Sequence, residues 1–579
     1  MFFFFEYILV AILIAATFLL RSFPSRWIQA TEQWLTRLAK RRALAVLTVG
    51  VLAVALRVAL LPNLPVPKPG FHDDFGYLLA ADTFAHGRLA NPTHPMWVHF
   101  ESIHINQKPS YMPMYYAAQG LVMALGQVTT GSPWIGVLLS AALMCAAICW
   151  MLQGWLPPGW ALLGGLLAVL RLGTFSYWTN CYCGGTVAAI GGALVLGALP
   201  RIKRRCRLGY AVLMGIGLAL LANTRPYESL FFGIPIAIAG LAWIVEKKHP
   251  SWRILIPRVA LPLVLILATT IAGMAYFFWR VTGSPFHIPY QVNLDTYIAV
   301  PYFPWQPLNL KHVYRHPVLE HFYLHGWQMY FYYEARRHPI SVLAMKISDT
   351  CRFFLGPLLA LPLIMVLLIN PWGFLRKSVT GKTGFLVAVV GATFIGAALP
   401  IYFIPHYVAP ITAAIYALIL QAMRYLRLWR WRGKRAGLGV VRAIPAFCVL
   451  LFVLRAFAPQ LHIPTPMEWR HTWESEHFQN FDRAAALEKL TSLPGEQLVI
   501  VRYNQFHDVN NEWVYNLSNI DAQKVVWARD MGDPANAELF QYFKQRQIWL
   551  AEPDLAPPRM SPYPVATGQP SSAPAQATY

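Results

Sequence analysis

Long apolar blocks constrain this chain more than any other feature of its sequence. A helix of about 20 apolar residues crosses the roughly 30 Å hydrocarbon core of a bilayer. The 579 residues are 56% hydrophobic and only 13% charged, whereas soluble domains carry about 25% charged residues. The pattern predicts an α-helical polytopic membrane protein with about twelve transmembrane helices. The predicted spans are 3–20, 43–62, 133–153, 158–173, 183–200, 209–223, 229–245, 255–279, 352–370, 384–404, 408–423 and 438–457.

Lysine and arginine fall in short clusters between these blocks, and with twelve spans all the clusters lie on one side. The positive-inside rule makes that side cytoplasmic. The N-terminus, the loops 63–132 and 280–351 and the tail after residue 458 are then outside. Because topology explains the net charge of +22, nucleic acid is not predicted as a partner. The basic clusters are 21–43, 201–207, 246–253, 371–382 and 424–435.

The composition divides the chain into four parts. The N-terminal block lacks a basic region and a cleavage site, so we interpret it as a retained span and not a signal peptide. Beyond the last span, charged residues become common and short β-type runs alternate with amphipathic segments, which predicts a small α/β domain on the periplasmic side. The parts are 1–42, an N-terminal helix with a basic loop; 43–460, the membrane core; 461–556, the α/β domain; and 557–579, a disordered tail.

Several local predictions accompany this division. Segment 113–128 is apolar, but a span there would place every later basic cluster outside. We therefore interpret it as a helix lying in or near the outer interface. In the tail, the predicted strands are 497–502, 524–527 and 547–550, and the predicted helices are 482–492 and 535–545.

An acidic pair, Asp73-Asp74, follows the second span, and Lys108 lies in the same outer loop. Acids at a helix N-terminus often serve only as caps. Alternatively, a carboxylate near the lipid headgroups can take the proton of an acceptor group as a general base, while cations stabilise an anionic leaving group. This combination favours an integral-membrane transferase over a channel or a scaffold.

The motif Asp73-Asp74-x-x-Tyr77 resembles the Asp-Glu-x-x-Tyr signature of GT-C glycosyltransferases. The most similar subgroup is the clan of protein O-mannosyltransferases and aminoarabinose lipid A transferases. The resemblance implies that Asp73 is the catalytic base, with Asp74 beside it in place of the family's Glu. Lys108-Pro109, with Tyr115-Tyr116 downstream, resembles the family's Lys-Pro-Pro-Leu-Tyr-Tyr segment. That likeness implies a donor-phosphate contact by Lys108 and a substrate pocket lined by the tyrosines.

Late in the chain, Pro405-His406-Tyr407-x-x-Pro410 resembles a third element of the family. There the family's phosphate-binding Lys would fall at Phe403. Arg225 is the expected substitute, since a guanidinium suits phosphate oxygens. The alternative is that Arg225 only pairs with Glu228 to close a hairpin between spans. We expect donor-phosphate binding by Lys108, Arg225, His406 and Tyr407.

The resemblance implies an inverting glycosyltransferase of a bacterial inner membrane. It would move a sugar from a polyprenyl-phosphate donor to a protein, lipid or glycan acceptor on the outer face. Two alternatives remain open at this stage: a flippase for lipid-linked sugars, and an inactive scaffold that binds lipid-linked glycan. The acidic pair lies at the rim and not near the bilayer midplane, which favours the enzyme.

No cofactor and no metal site are predicted, and a divalent metal bound by histidine pairs is the less favoured alternative. Histidines recur at four-residue spacing at positions 312 and 316, and again at 321 and 325. Pro317 interrupts the first of these sets. His94, His99 and His104 recur every five residues, which does not keep one helix face. Cys181-x-Cys183 lacks the spacing of a CxxC zinc or redox motif.

Overall fold

The computed structural model describes residues 2–19, 26–247, 249–369, 381–465 and 470–564, together with Pro371 and Met467. Within them, helices dominate and strands occur in two small sheets. Eight helices are long and apolar enough to span a membrane, or up to nine if one bent pair counts as a span. The eight are Arg42–Ala59, Pro133–Trp155, Thr186–Arg204, Pro226–Val245, Trp252–Thr282, Gly381–Ala398, Pro405–Leu426 and Ala436–Ala456.

The twelve predicted spans each coincide with a helix. Beyond the eight long ones, three are shorter apolar helices: Phe2–Leu19, Pro158–Arg171 and Leu208–Ala222. The remaining predicted span, 352–370, coincides with Gly356–Ile369, one arm of the bent pair in which Pro339–Phe354 and Gly356–Ile369 meet at 106°. The other arm, Pro339–Phe354, lies mostly within the predicted outer loop 280–351, where the sequence did not predict a helix. The predicted fold class, a polytopic helical membrane protein with a C-terminal α/β region, is confirmed.

The two ends of the chain lie at the same end of the helical bundle. The backbone N–H of Phe3 donates a hydrogen bond to Glu474 in the tail, at 3.1 Å. At the opposite end of the helical bundle, Arg442 forms a bidentate ion pair with Glu32, at 2.7 and 2.8 Å. The N-terminus and the tail therefore share one side, as an even number of spans requires. Which side faces the periplasm stays a prediction.

The segment predicted as an interfacial helix forms the helix Ala117–Thr130. It packs between the helices His72–Ala85 and Pro133–Trp155. Its exposed face carries Leu121, Leu125 and Val128. An apolar stripe left uncovered by protein suits contact with the acyl boundary of a bilayer. The remaining helices of the core and its outer loops are Arg26–Lys40, Pro289–Thr296, Pro317–Glu320 and Trp327–Arg337.

The tail forms the small α/β domain that the sequence predicts. Strands β1 (Ile105–Asn106) and β2 (Met112–Pro113) belong to the first outer loop, and the tail contributes β3 (Gln497–Val501), β4 (Val525–Arg529), β5 (Gln547–Glu552) and β6 (Arg559–Pro562). The sheet of the tail has the order β4-β3-β5-β6, with β3 parallel to β4 and β5, and β6 antiparallel to β5. The helix Phe481–Ser492 precedes β3, and the helix Asp533–Tyr542 connects β4 to β5.

One boundary differs from the sequence prediction. Composition places residues 557–579 in a disordered tail, but Arg559–Pro562 is the edge strand β6 and pairs with β5. Four residue pairs join β6 to β5, whose outer edge would otherwise have unpaired backbone groups. Residues 565–579, to which the rest of that prediction refers, lie outside the described part of the chain.

The domain packs against the first outer loop and does not stand apart from the core. Phe75 stacks on Tyr515 with ring centroids 4.2 Å apart. The guanidinium of Arg483 lies between the rings of Phe75 and Trp527, at 4.7 and 4.9 Å. These contacts fix the helix His72–Ala85 against the sheet. The loop and the tail therefore form one packed unit.

A buried ion pair joins the first helix to the rest of the bundle. Glu6 accepts from Arg171 at 2.5 Å, and both side chains are almost fully buried. Glu6 also accepts from the Trp473 indole and, through its other oxygen, from the backbone N–H of Leu358. The guanidinium of Arg171 lies 4.5 Å above the Trp473 ring. Every part of this network lies in a different segment of the chain.

We expect Arg171→Ala to lower the free energy of unfolding by about 3–5 kcal/mol, because it leaves the Glu6 carboxylate buried without its cation. Arg442→Ala is the matched control. Its partner Glu32 is about half exposed, so this change should cost about 0–1 kcal/mol. Thermal unfolding in detergent, followed by tryptophan fluorescence, measures both. An equal loss in the two variants would contradict the buried pair's role.

Candidate functional site

The site begins at the N-terminus of the helix His72–Ala85. Asp74 is buried, and its carboxylate accepts from the backbone N–H groups of Gly70 (3.2 Å) and Phe71 (3.4 Å). It also accepts from the N–H of Tyr182, at 2.8 Å. Asp74 therefore caps the helix and holds the distant loop 172–185 against it. The capping interpretation of the acidic pair applies to this residue.

Asp73 has different surroundings, although it is the next residue. Its Oδ1 is hydrogen-bonded to His104 Nδ1 at 3.0 Å and accepts the hydroxyl of Tyr115. Tyr115 and His104 also contact each other, at 2.9 Å. Within the described chain, Oδ2 has no hydrogen-bond partner, and the side chain is 30% exposed. One oxygen is fixed and the other is open to a ligand.

The electrostatics of the site favour the ionised form of Asp73. Burial by itself raises the pKa of the carboxyl, but the hydrogen bond and charge of His104 and the hydroxyl of Tyr115 lower it below its ordinary value. The neighbouring His72 differs, since burial and the charge of His104 lower its pKa to about 3. His72 is therefore a neutral imidazole that contacts the Tyr515 hydroxyl at 2.7 Å.

A short β-hairpin brings His104 to the acidic helix. Strands β1 (Ile105–Asn106) and β2 (Met112–Pro113) pair antiparallel, and the N–H of Met114 donates to the carbonyl of His104 at 3.0 Å. This pairing sets His104 beside Tyr115. Gly76 lets Tyr115 approach the helix, because a Cβ at this position would lie 2.6 Å from the tyrosine ring.

The second outer loop covers this group. The ring of Phe322 lies 5.1 Å from His72 and 5.7 Å from His104. Tyr323 is fully buried beside it, with its hydroxyl 3.5 Å from the His104 backbone nitrogen. Aromatic cover of this kind limits the access of water to the Asp73 carboxylate.

A small cleft of about 10 Å³ lies beside the acidic group. Tyr77 lines this cleft and stacks on Tyr115, the partner of Asp73, with ring centroids 4.4 Å apart. Tyr116, Arg225 and His406 form other parts of the wall. Gly184 and Gly185 also line it. The structure thus brings together predicted residues from four separate segments of the sequence.

Arg225 supplies the positive charge of the cleft. Its guanidinium lies 4.1 Å above the ring of Tyr407. Glu228 is buried, but its Oε1 has no hydrogen-bond partner, and among the described residues no carboxylate lies within ion-pair distance of Arg225. A direct Arg225–Glu228 ion pair is therefore not formed, although the two opposite charges are close enough to attract each other.

His406 is held from behind the cleft. It is buried, and its Nδ1 lies 3.0 Å from the hydroxyl of Tyr177. Tyr177 in turn stacks on His471 from the tail, at 4.1 Å. This contact leaves the second ring nitrogen of His406 for the cleft.

Lys108 does not join this group. Its side chain is exposed, and its ammonium lies 4.3 Å above the ring of Trp97. Arg315 packs on the same ring at 4.8 Å. No contact joins Lys108 to Asp73, Arg225 or His406 in the described structure. The phosphate contact that the resemblance implies for Lys108 stays a prediction.

The sequence also left some site residues unrecognised. His104 is the direct partner of Asp73, yet its only sequence signal was the five-residue histidine series considered for metal. The histidines of those series have other partners: His94 contacts Asp521 at 2.9 Å, and His316 contacts the carbonyl of Val98 at 2.7 Å. In the described chain, none of them belongs to a cluster of three or more potential metal ligands.

Comparison with known proteins returns matches among solved structures alone. No protein-family model and no curated protein sequence matches the chain. The oligosaccharyltransferase of Archaeoglobus fulgidus in its apo form has 12% identity and a TM-score of 0.47, and the match covers 87% of this chain and 69% of that one. ArnT from Cupriavidus metallidurans, bound to undecaprenyl phosphate, also has 12% identity and a TM-score of 0.47, with coverages of 87% and 92%.

A further match is the archaeal AglB of the same Archaeoglobus species, in complex with an inhibitory peptide and a dolichol-phosphate. It has 12% identity and a TM-score of 0.45 and covers 88% of this chain and 69% of that chain. AglB and ArnT are members of the GT-C superfamily, the class that the sequence motifs resemble. At 12% identity and TM-scores below 0.5, neither protein assigns a role to a residue of this chain.

Proposed function

We propose that this protein is an inverting membrane glycosyltransferase that uses a polyprenyl-phosphate-linked sugar as donor. The observation that carries the proposal is an oriented carboxylate, Asp73, near a guanidinium, Arg225, that has no carboxylate within ion-pair distance among the described residues. Tyr77 and Tyr407 each lie within electrostatic reach of both Asp73 and Arg225. A base for the acceptor and a cation for the leaving group thus share one site.

The reaction follows from these positions. The acceptor's hydroxyl or amine loses its proton to Asp73 Oδ2 while its oxygen or nitrogen attacks the anomeric carbon of the sugar. The bond from that carbon to the phosphate oxygen breaks, and the polyprenyl phosphate leaves with the electron pair. Attack opposite to the leaving group inverts the anomeric carbon.

The residues around Asp73 are positioning residues. Tyr115 and His104 both bind Oδ1, so they hold the carboxylate in one orientation and leave Oδ2 for the acceptor. This preorganisation lowers the cost of aligning the base with the acceptor. Tyr77 and Tyr116 offer aromatic faces against which a sugar ring can pack.

The leaving group would be held at the far wall of the cleft. Arg225 can donate two parallel hydrogen bonds to phosphate oxygens, and His406 can add a third from its free nitrogen. Charge stabilisation of this kind is usually the largest single contribution to catalysis. The aromatic cover from Phe322 and Tyr323 limits hydrolysis of the donor.

We expect Asp73→Asn to lower sugar transfer by about 10²–10⁴-fold, because the amide cannot accept the acceptor proton. Donor binding should be retained, since the amide keeps the size and the hydrogen bonds to the cleft wall. The measurement is transfer from a panel of radiolabelled polyprenyl-phosphate sugars to membrane acceptors. Binding of the same donors is measured in parallel.

Asp295→Asn, an exposed aspartate in the helix Pro289–Thr296, is the matched control and should behave as wild type. Transfer that is unchanged in Asp73→Asn would overturn the role of the base. Wild type that binds donor but transfers no sugar would favour the flippase or the scaffold instead. Transport assays in vesicles then separate those two.

We expect Arg225→Met to weaken binding of polyprenyl phosphate by about 10–100-fold, the loss typical of a hydrogen bond to a charged group. Lys311→Met, an exposed lysine in the second outer loop, is the charge-matched control. Lys108→Met tests the resemblance separately. Equal losses in Arg225→Met and Lys108→Met would add Lys108 to the phosphate site, whereas tight binding in Arg225→Met would remove Arg225 from it.

A further inference from the structure

Four buried side chains with metal-ligating atoms meet around Asp74, the second residue of the acidic pair. They are Asp74, Cys181, Cys183 and His477, and one potential ligand atom of each lies within 4.8 Å of all the others. They come from the start of the helix His72–Ala85, the loop 172–185 and the tail. Among the described residues this is the one such cluster of three or more.

The surroundings of His477 indicate that this cluster binds a ligand. Its side chain is 8% exposed, and neither ring nitrogen has a hydrogen-bond partner. The nearest acidic oxygen, Asp74 Oδ2, is 3.8 Å from Nε2, which is too far for a hydrogen bond. Native proteins rarely leave a buried polar group unpaired, and each such case calls for an explanation.

The two thiols complete the donor set. Cys181 Sγ and Cys183 Sγ lie 3.3 Å apart, and both cysteines are free and buried. Two sulfur ligands on one tetrahedral zinc lie about 3.8 Å apart, given Zn–S bonds of about 2.3 Å. The pair therefore needs only a small outward movement to serve as two ligands. The Cys-x-Cys spacing, which argued against a zinc motif, acquires its other ligands from distant segments.

Asp74 is already oriented by the backbone. Its Oδ1 accepts from Tyr182, and its Oδ2 accepts from Gly70 and Phe71. A carboxylate has about four acceptor positions, so one remains for a single bond to a cation. Hydrogen bonds of this kind to a ligating group are the usual support of a metal site.

We propose that Asp74, Cys181, Cys183 and His477 bind one Zn²⁺ ion in a closed, tetrahedral structural site. Two thiolates with an imidazole and a carboxylate select zinc over magnesium or calcium, which prefer oxygen ligands. On binding, the two thiols release their protons to solvent and the histidine ligates as the neutral imidazole. The ion adds no redox step and no open coordination position.

The ion would tie three segments together beside the residue that we propose as the base. Asp74 is adjacent to Asp73, and the Tyr182 N–H that binds Asp74 lies between the two cysteines. The tail would then be fixed to the first outer loop by coordination as well as by packing. The ion would thus fix the N-terminus of the helix His72–Ala85 to the loop 172–185 and to the tail.

The test is the zinc content of the tag-free, full-length chain, purified in detergent without chelator and measured by inductively coupled plasma mass spectrometry. We expect about one zinc per chain in wild type, and loss of it in Cys181→Ser/Cys183→Ser. Cys145→Ser/Cys149→Ser is the matched control, since both cysteines are buried and free in the helix Pro133–Trp155. It should retain the metal.

A second measurement on wild type does not depend on a folded variant. Thiol labelling with mass mapping is compared before and after treatment with a strong zinc chelator. We expect Cys181 and Cys183 to be protected until the chelator removes the ion, and cobalt substitution to give a thiolate-to-cobalt absorption band that His477→Ala weakens. Zinc content no higher in wild type than in the double variant, or labelling unaffected by chelator, would overturn the proposal.

Discussion

The cap formed by Asp74 is the interaction on which the rest of the site depends. Its carboxylate takes three backbone N–H groups from two loops, which fixes where the helix His72–Ala85 begins. Because Asp74 makes the capping hydrogen bonds, the adjacent Asp73 does not have to make them. Its Oδ1 is held by two side chains, while Oδ2 has no hydrogen-bond partner in the described part of the chain. Two neighbouring acids of the same type thus have separate roles, one structural and one that we propose as chemical.

The small tail domain belongs to the site through this same helix. Tyr515 binds His72 and stacks on Phe75, while Ser518 donates from its backbone to Asp82 one turn from the helix end. The loop between β3 and β4 therefore contacts both ends of the helix and not only its first turn. The tail domain thus supports the helix that carries Asp73.

The sequence predicted the features that depend on single segments. The apolar helices and the strands β3, β4 and β5 follow from apolar runs and alternation within single segments, and Asp73 lies in a motif of five residues. His104 was not predicted as the partner of Asp73, because their contact depends on the pairing of β1 with β2. The cluster around His477 joins opposite ends of the chain, and no local spacing encodes such a meeting. Lys108 shows the converse: a matching motif was found, but the loop directs its charge to Trp97.

The network around Glu6 has a consequence for the order in which the fold is completed during translation. Glu6 lies in the helix Phe2–Leu19, whereas its partners Arg171, Leu358 and Trp473 are synthesised much later. The carboxylate therefore lacks all three partners when its own helix is synthesised, and the network is complete only after Trp473 has been added. A chain that ends before the tail would leave this carboxylate without the indole of Trp473.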